Sequence, residues 1–167
     1  MIRDERAGDV AAIRDVHDRA FRRAEEGRLV DALRAGGATL LSLVAVAAGA
    51  DDQIVGHIMY SPASIGEIQG AGLAPVAVLP EHQRRGVGRA LIEAGNQRIR
   101  GTGCPFIIVL GHPDYYQRFG FTPASHHGVT CQWNVPDEAF MMLVLDESAM
   151  SGQSGVATYR QEFSGVA

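Results

Sequence analysis

Seven residues, Gln83 to Arg89 (QRRGVGR), place three arginines and two glycines just past an apolar run, LAPVAVLP at Leu73 to Pro80. A turn that leaves a strand and opens a helix exposes unpaired N–H groups and the positive end of the helix dipole, and so can take an anion. Gly86 and Gly88 remove side chains where a ligand would approach the backbone, and they permit dihedrals closed to other residues. Arg84, Arg85 and Arg89 add charge at the same point. A phosphate or pyrophosphate suits such a loop, because it draws on several convergent donors. The competing reading is a glycine-containing loop that only covers a sheet end. Two common phosphate motifs do not apply. GxxxxGK[ST] is ruled out because the chain has no lysine, and GxGxxG does not fit Gly86-Val87-Gly88 followed by Arg89-Ala90-Leu91 in mid-chain.

The elements that must hold this loop can be read from periodicity. Asp9 to Phe21 places Val10, Ile13, Val16, His17, Ala20 and Phe21 at helical spacing, with Asp9 as N-cap, and a second helix over Ala24 to Arg34 stops at Gly36 and Gly37. Leu40 to Ala47 and Gln53 to Ile65 read as a hairpin around Gly49 to Asp52, after a short strand at Met1 to Arg3. The Gly-rich Glu67 to Gly72 leads into a strand over Leu73 to Leu79, ended by Pro80. Val87 to Arg100 is amphipathic at helical spacing, and PFIIVL at Pro105 to Leu110 reads as a buried strand, so the two strands and the helix make a βαβ unit. A helical turn at YYQRF and a strand at Phe140 to Leu145 follow, with an edge strand over Val156 to Tyr159 in the Ser/Gly-rich tail. The expected class is α+β, in one domain spanning 1–167.

Composition narrows the function. The net charge of −4 argues against a general nucleic-acid binder, since phosphate neutralisation needs an excess of basic residues on one face. Without a long apolar run no membrane span is expected, and the start MIRDERAGDV lacks the pattern of a signal peptide, so a cytoplasmic protein is the expectation. Cys104 and Cys131 read as small core residues, and no Cys/His spacing calls for a metal.

VAVLPEHQRRGVGRALIEA resembles the signature of the GNAT superfamily of N-acetyltransferases, a V-x-P strand followed by [QR]-x-x-G-x-[GA] and an apolar helix. HPDYYQRFGF at His112 to Phe121 is similar to the family's second region, where a tyrosine stands four residues before Gly-Phe. The likeness runs from Ile2 to about Asp146. It implies a mixed, mostly antiparallel sheet flanked by helices, with a splayed strand pair forming the cleft for acetyl-CoA. By the same resemblance, Val76, Ala77 and Val78 hold the pantetheine arm, and the amides of Arg84, Arg85, Gly86, Val87, Gly88 and Arg89 hold the pyrophosphate. Tyr116 matches the general acid that protonates the CoA thiolate, with Tyr115 as fallback. The acceptor implied is an amine, more readily on a small molecule than on a protein tail, and family members commonly pair as homodimers.

The sequence departs from the family at the base. Many members carry a Glu near the start of the strand before the loop, and the matching position here is close to Gly72, followed by Leu73 and Ala74. Glu67 and Glu81 read as surface charges. His112 and His57 are weighed as replacements, along with an ordered water, while His126 and His127 read as an exposed loop pair. Trp133 is considered as a wall of the acceptor pocket. Two other functions are weighed: a non-catalytic acyl-CoA-binding regulator, supported by the absent carboxylate, and a nucleic-acid module using Arg84, Arg85, Arg89, Arg98 and Arg100.

Overall fold

The structure, a computed structural model, describes the chain except Ala50, Val166 and Ala167. In chain order come β1 (Ile2–Asp4), α1 (Val10–Phe21), α2 (Glu25–Ala35), β2 (Leu41–Val46), β3 (Ile54–Ile65), β4 (Ile68–Val78) and α3 (Val87–Arg100). β5 (Phe106–Leu110), α4 (Pro113–Tyr116), β6 (Thr122–Pro123), β7 (Val129–Cys131), β8 (Phe140–Val144), α5 (Glu147–Met150) and β9 (Gly155–Tyr159) complete it. The sheet runs β1-β2-β3-β4-β5-β8-β6, with β9 joined to the far end of β3 and β7 beside β9. Among the described residues only β4–β5 and β7–β9 pair in parallel; the expected mixed, mostly antiparallel sheet is observed.

Several boundaries move for identifiable reasons. The expected turn at Gly49 to Asp52 includes Ala50 and so lies partly outside the described residues. The strand expected from Leu73 begins at Ile68, because Gly66 and Glu67 alone reverse the chain and Ile68 to Gly72 pairs with β3 rather than forming a loop. Gly70 and Gly72 belong inside this strand because the rings of Phe106 and Tyr159 lie where side chains would stand. Asp9 stands at the N-cap position of α1, as expected, but its side chain does not cap the helix. Its carboxylate accepts instead from the backbone N–H of Arg6 at 2.7 Å and from Arg3 at 2.7 and 3.1 Å, tying the turn to β1. The tail strand pairs with two strands, not one, through Ala63↔Tyr159 and Cys131↔Ala157. Cys104 and Cys131 are free and half-buried at the core's margin.

Successive residues of β3 face opposite sides of the sheet. Gly56 and Tyr60 face α3: a Cβ at Gly56 would sit 3.0 Å from Leu91, and the Tyr60 hydroxyl donates to Asn96 Oδ1 at 2.7 Å beside Gly95, whose missing side chain admits the ring. This seats α3, and with it the preceding loop, at a fixed height over β3 and β4.

On the other face His57 lies wholly buried beneath α1, where a chain of bonds runs across the sheet. The Ser42 hydroxyl donates to the Glu5 carboxylate, which also takes a bond of 2.8 Å from Arg34. With its proton so used, Ser42 Oγ must accept from His57 Nε2 at 2.8 Å. His57 Nδ1 is then the bare nitrogen and accepts from His17 Nε2 at 2.8 Å, which leaves His17 Nδ1 unpaired and buried. Burial favours the neutral form of both rings. Burial first, then repulsion from His57 and Arg34, brings His17 down to about 3, and burial also lowers His57 despite the pull of Glu5. Burial alone would raise Glu5, but His57 3.8 Å away, the bond from Ser42 and the charge of Arg34 bring it to about 2.

The unfolded chain thus binds protons that the fold excludes. A histidine titrating near 6.5 when unfolded and near 3 when folded contributes in full above pH 6.5, and its contribution falls as pH drops toward 3. The Glu5 contribution is lost only below its unfolded value of 4.5. Urea unfolding should show stability falling by about 1 kcal/mol per pH unit or more between pH 6.5 and 4.5, with a shallower slope in His17→Gln. A wild-type midpoint that stays constant over that interval contradicts a neutral buried pair.

Candidate functional site

The site begins with one extra residue in β4. Its register with β3 is Gly56↔Val78, His57↔Ala77 and Ile58↔Val76, but then Tyr60↔Leu73, so Met59 alone faces both Ala74 and Pro75. A bulge bends the strand that carries it. β4 pairs with β5 only at Ala71↔Ile107 and Gly72↔Ile108; beyond the bulge the two diverge. That divergence is the cleft.

The hydrogen-bond register decides which groups line it. Leu79 N–H donates to Val55 O at 2.8 Å, so Leu79 and, two residues away, Ala77 direct their backbone groups at β3. Val76 and Val78 therefore direct theirs away from β3, into the cleft. The Val78 carbonyl accepts from Gln83 Nε2 at 3.0 Å, which ties the loop to the strand end. The Val78 N–H and both backbone groups of Val76 face the open cleft. Ala77, expected to share that task through its backbone, bonds β3 instead.

The loop has the shape of an anion cradle. Arg84 holds φ at 62° and Gly86 at 82°, a left-handed conformation that costs a non-glycine residue of order 1 kcal/mol or more and is found preferentially at functional loops. No side chain caps α3 at Gly86, and the first amide with a helical acceptor is that of Ala90, on Gly86 O at 3.0 Å. Val87, Gly88 and Arg89 precede it with donors free of helical partners. The space a Cβ would enter at Gly86 is open. Arg84 and Arg85 are exposed without an ion-pair partner among the described residues, while Arg89 pairs with Glu93 at 2.8 Å. These features fit a phosphate.

Below the bulge lies a cavity of about 300 Å³. Ala74, Pro75 and Val76 form one wall, and Leu110 and Tyr116 another. Tyr116 packs edge-on against Phe121 at 5.8 Å and over Gly111, where any side chain would strike its ring. Burial pushes its phenol well above the ordinary value, so it carries its proton at neutral pH. Tyr115 points elsewhere: its hydroxyl lies 3.1 Å from where a Cβ on Gly88 would be, at the start of α3. Phe21, Leu29, Trp133 and Phe163 close the remaining side, and Trp133 stacks on Tyr159 with ring centres 5.1 Å apart.

Tyr159 also accounts for the missing carboxylate. A Cβ at Gly72 would lie 2.9 Å from its ring, so the last strand occupies the space a side chain there would need. The carboxylate that does reach the cavity wall is Glu26, nearly buried at the start of α2 and clasped by Arg23 Nε at 2.8 and 3.1 Å. Sequence reasoning missed it, because an acidic pair opening a helix reads as a complement to the dipole.

The other candidate bases lie away from the cavity. His57 is locked under α1 in the chain described above. His112 is exposed, and its contribution is a backbone carbonyl that accepts from the amides of Tyr115 and Tyr116 at 3.1 Å. Glu67 is in the exposed β3–β4 turn, and Glu81 bonds Arg19 at 2.8 Å. His127 meets Thr122 at 3.2 Å, beside the exposed His126. Arg98 is paired with Asp4 at 2.9 Å, far along α3 from the loop. Among the described residues, no three His, Cys, Asp or Glu gather as metal ligands, and no helix is long and apolar enough to cross a membrane.

Comparison with known proteins agrees with this geometry. The GNAT acetyltransferase domain family matches residues 41–123, which span β2 through the loop, α3 and the two tyrosines. The Escherichia coli N-acetyltransferase YhbS is 34% identical over 167 residues, 98% of each chain. Its crystal structure in complex with CoA superposes with a TM-score of 0.94 at 31% identity, covering 100% of this chain and 93% of that one. A GNAT acetyltransferase of Brucella melitensis in complex with acetyl-CoA gives 0.80 at 38% identity, covering 98% of this chain and 97% of that one. The chain belongs to the GNAT superfamily of N-acetyltransferases.

Proposed function

We propose that the chain moves the acetyl group of acetyl-CoA to a primary amine on a small molecule by direct attack. The observation that carries this reading is the continuity of the cleft: the free backbone groups of Val76 and Val78 lead from the cavity to the uncapped start of α3. An extended pantetheine arm can bond an unpaired strand edge as another strand would, while Arg84 to Arg89 take the pyrophosphate on backbone amides and Arg84 and Arg85 neutralise it. The CoA complexes of the two relatives support the choice of ligand. The small cavity favours a small amine over a folded protein surface.

Bound acetyl-CoA supplies a thioester carbonyl as the electrophile. The Val78 N–H, facing the cleft, stabilises the oxyanion as the amine nitrogen adds to that carbon. The C–N bond forms, the C–S bond breaks, and Tyr116 gives its proton to the departing sulfur. Of the two protons the original ammonium loses, one restores Tyr116 and the other leaves to solvent.

Two variants test the two halves. Gly86→Asp places a carboxylate in the open space over the cradle and a Cβ at φ 82°, so acetyl-CoA affinity measured by calorimetry should fall by at least about a hundredfold; an unchanged affinity removes the cradle. Tyr116→Phe should lower kcat by about 10²-fold or more with acetyl-CoA affinity nearly unchanged, followed by release of free CoA thiol. Full activity in that variant removes the proton donor.

A further inference from the structure

The cavity wall is chemically lopsided. Phe21, Leu29, Leu73, Leu110, Trp133 and Phe163 give it apolar and largely aromatic surface, and Glu26 is the carboxylate set into it. Glu26 is 6% exposed, while its partner Arg23 and the cavity rim at Phe21 are open to water. A carboxylate offers about four lone-pair sites, and the three contacts from Arg23 leave capacity for another donor.

The local charge also asks for one. Arg23 serves two carboxylates, the clasped Glu26 and Glu25 at 3.8 Å, and Glu25 Oε2 is itself buried without a hydrogen bond. Glu25 and Arg23 are both about half exposed and so also served by water, and the buried Glu26 is the carboxylate that an ammonium in the cavity would meet. The volume sets the size of what carries it. At about 30 Å³ per water-sized group, a cavity of about 300 Å³ holds about ten such groups. A long polyamine or a sugar scaffold would have to set further polar groups against Phe21, Leu29, Leu73, Trp133 and Phe163, where each one left buried without a partner costs about 1–3 kcal/mol.

From this we infer that the acceptor is a monoamine on a compact, flat, apolar body, an arylalkylamine, with its ammonium held by Glu26 and its ring against Trp133, Phe163 and Phe21. The inference rests on the acetyl-transfer reading and names the substrate class of that same site. Glu26 acts as the anchor that orients the nitrogen toward the bulged strand.

Trp133, the one tryptophan of the chain, reports occupancy without turnover. Titrated into the wild-type protein, 2-phenylethylamine should change Trp133 fluorescence saturably, and spermidine should not. Glu26→Gln should weaken that binding by at least about tenfold, the worth of a hydrogen bond to a charged group, and raise the KM for the amine more than it changes kcat, with acetyl-CoA affinity unchanged. Arg23→Gln, which opens the clasp but keeps the carboxylate, should retain amine binding. Equal binding by wild type and Glu26→Gln, or preferential binding of spermidine, overturns the inference, as does equal loss in both variants, which would make the ion pair a structural clasp. Saturable binding of 2-phenylethylamine with no CoA thiol released, despite intact acetyl-CoA binding, would instead sink the acetyl-transfer reading and leave the recognition by Glu26 standing.

Discussion

The site depends on a single mismatch in count: two residues of β4, Ala74 and Pro75, stand opposite one residue of β3. Without the extra residue β4 would keep its course and go on pairing with β5. With it, the strand bends after Gly72, and the backbone groups of Val76 and Val78 open onto a cleft instead of a neighbouring strand. An unpaired edge inside a sheet is ordinarily a liability. In the proposed function the same groups are the recognition surface, and Pro75 lies within the bulge, where its lack of an N–H is tolerated.

Everything beside the cleft can be read as holding that geometry at both ends. Tyr60 and Gly95 fix the seat of α3, so the loop arrives above the end of β4, and Gln83 ties it to the Val78 carbonyl. On the opposite face, the Glu5–Ser42–His57–His17 chain fastens α1 to the sheet, and α1 in turn ends at Phe21 in the cavity wall. The polar chain is paired save for His17 Nδ1, and its burial favours the neutral form of both imidazoles. The basic residues of the loop act locally. The other arginines are largely spoken for, as Arg98 by Asp4, Arg19 by Glu81 and Arg34 by Glu5.

The parts legible in the sequence were those that depend on local chemistry. The helix periodicity of Val87 to Arg100, the glycines and arginines of the loop, and the tyrosine before Gly120-Phe121 carry their signals within a few residues. What escaped depends on contacts between distant segments. Gly70 and Gly72 looked like turn residues, and only the rings of Phe106 and Tyr159, contributed by strands far along the chain, explain them. The bulge could not be read because register is a relation between two strands. His57 looked like a candidate base until His17 and Ser42 were found against its two nitrogens. Glu26 gave no sign at all, since its distinction is burial in an aromatic wall and not its neighbours in the chain. The fold was therefore easier to reach than the acceptor half of the site.

The most direct test of the account is residue-resolved amide hydrogen exchange with and without acetyl-CoA. The amides of Val76 and Val78, which face the cleft, should exchange more slowly when the ligand is bound, as should those of Gly86 to Arg89, while Ala77, already bonded toward β3, should change little. Protection of Ala77 with Val76 and Val78 unaffected would contradict the assigned register and, with it, the cleft as the docking edge.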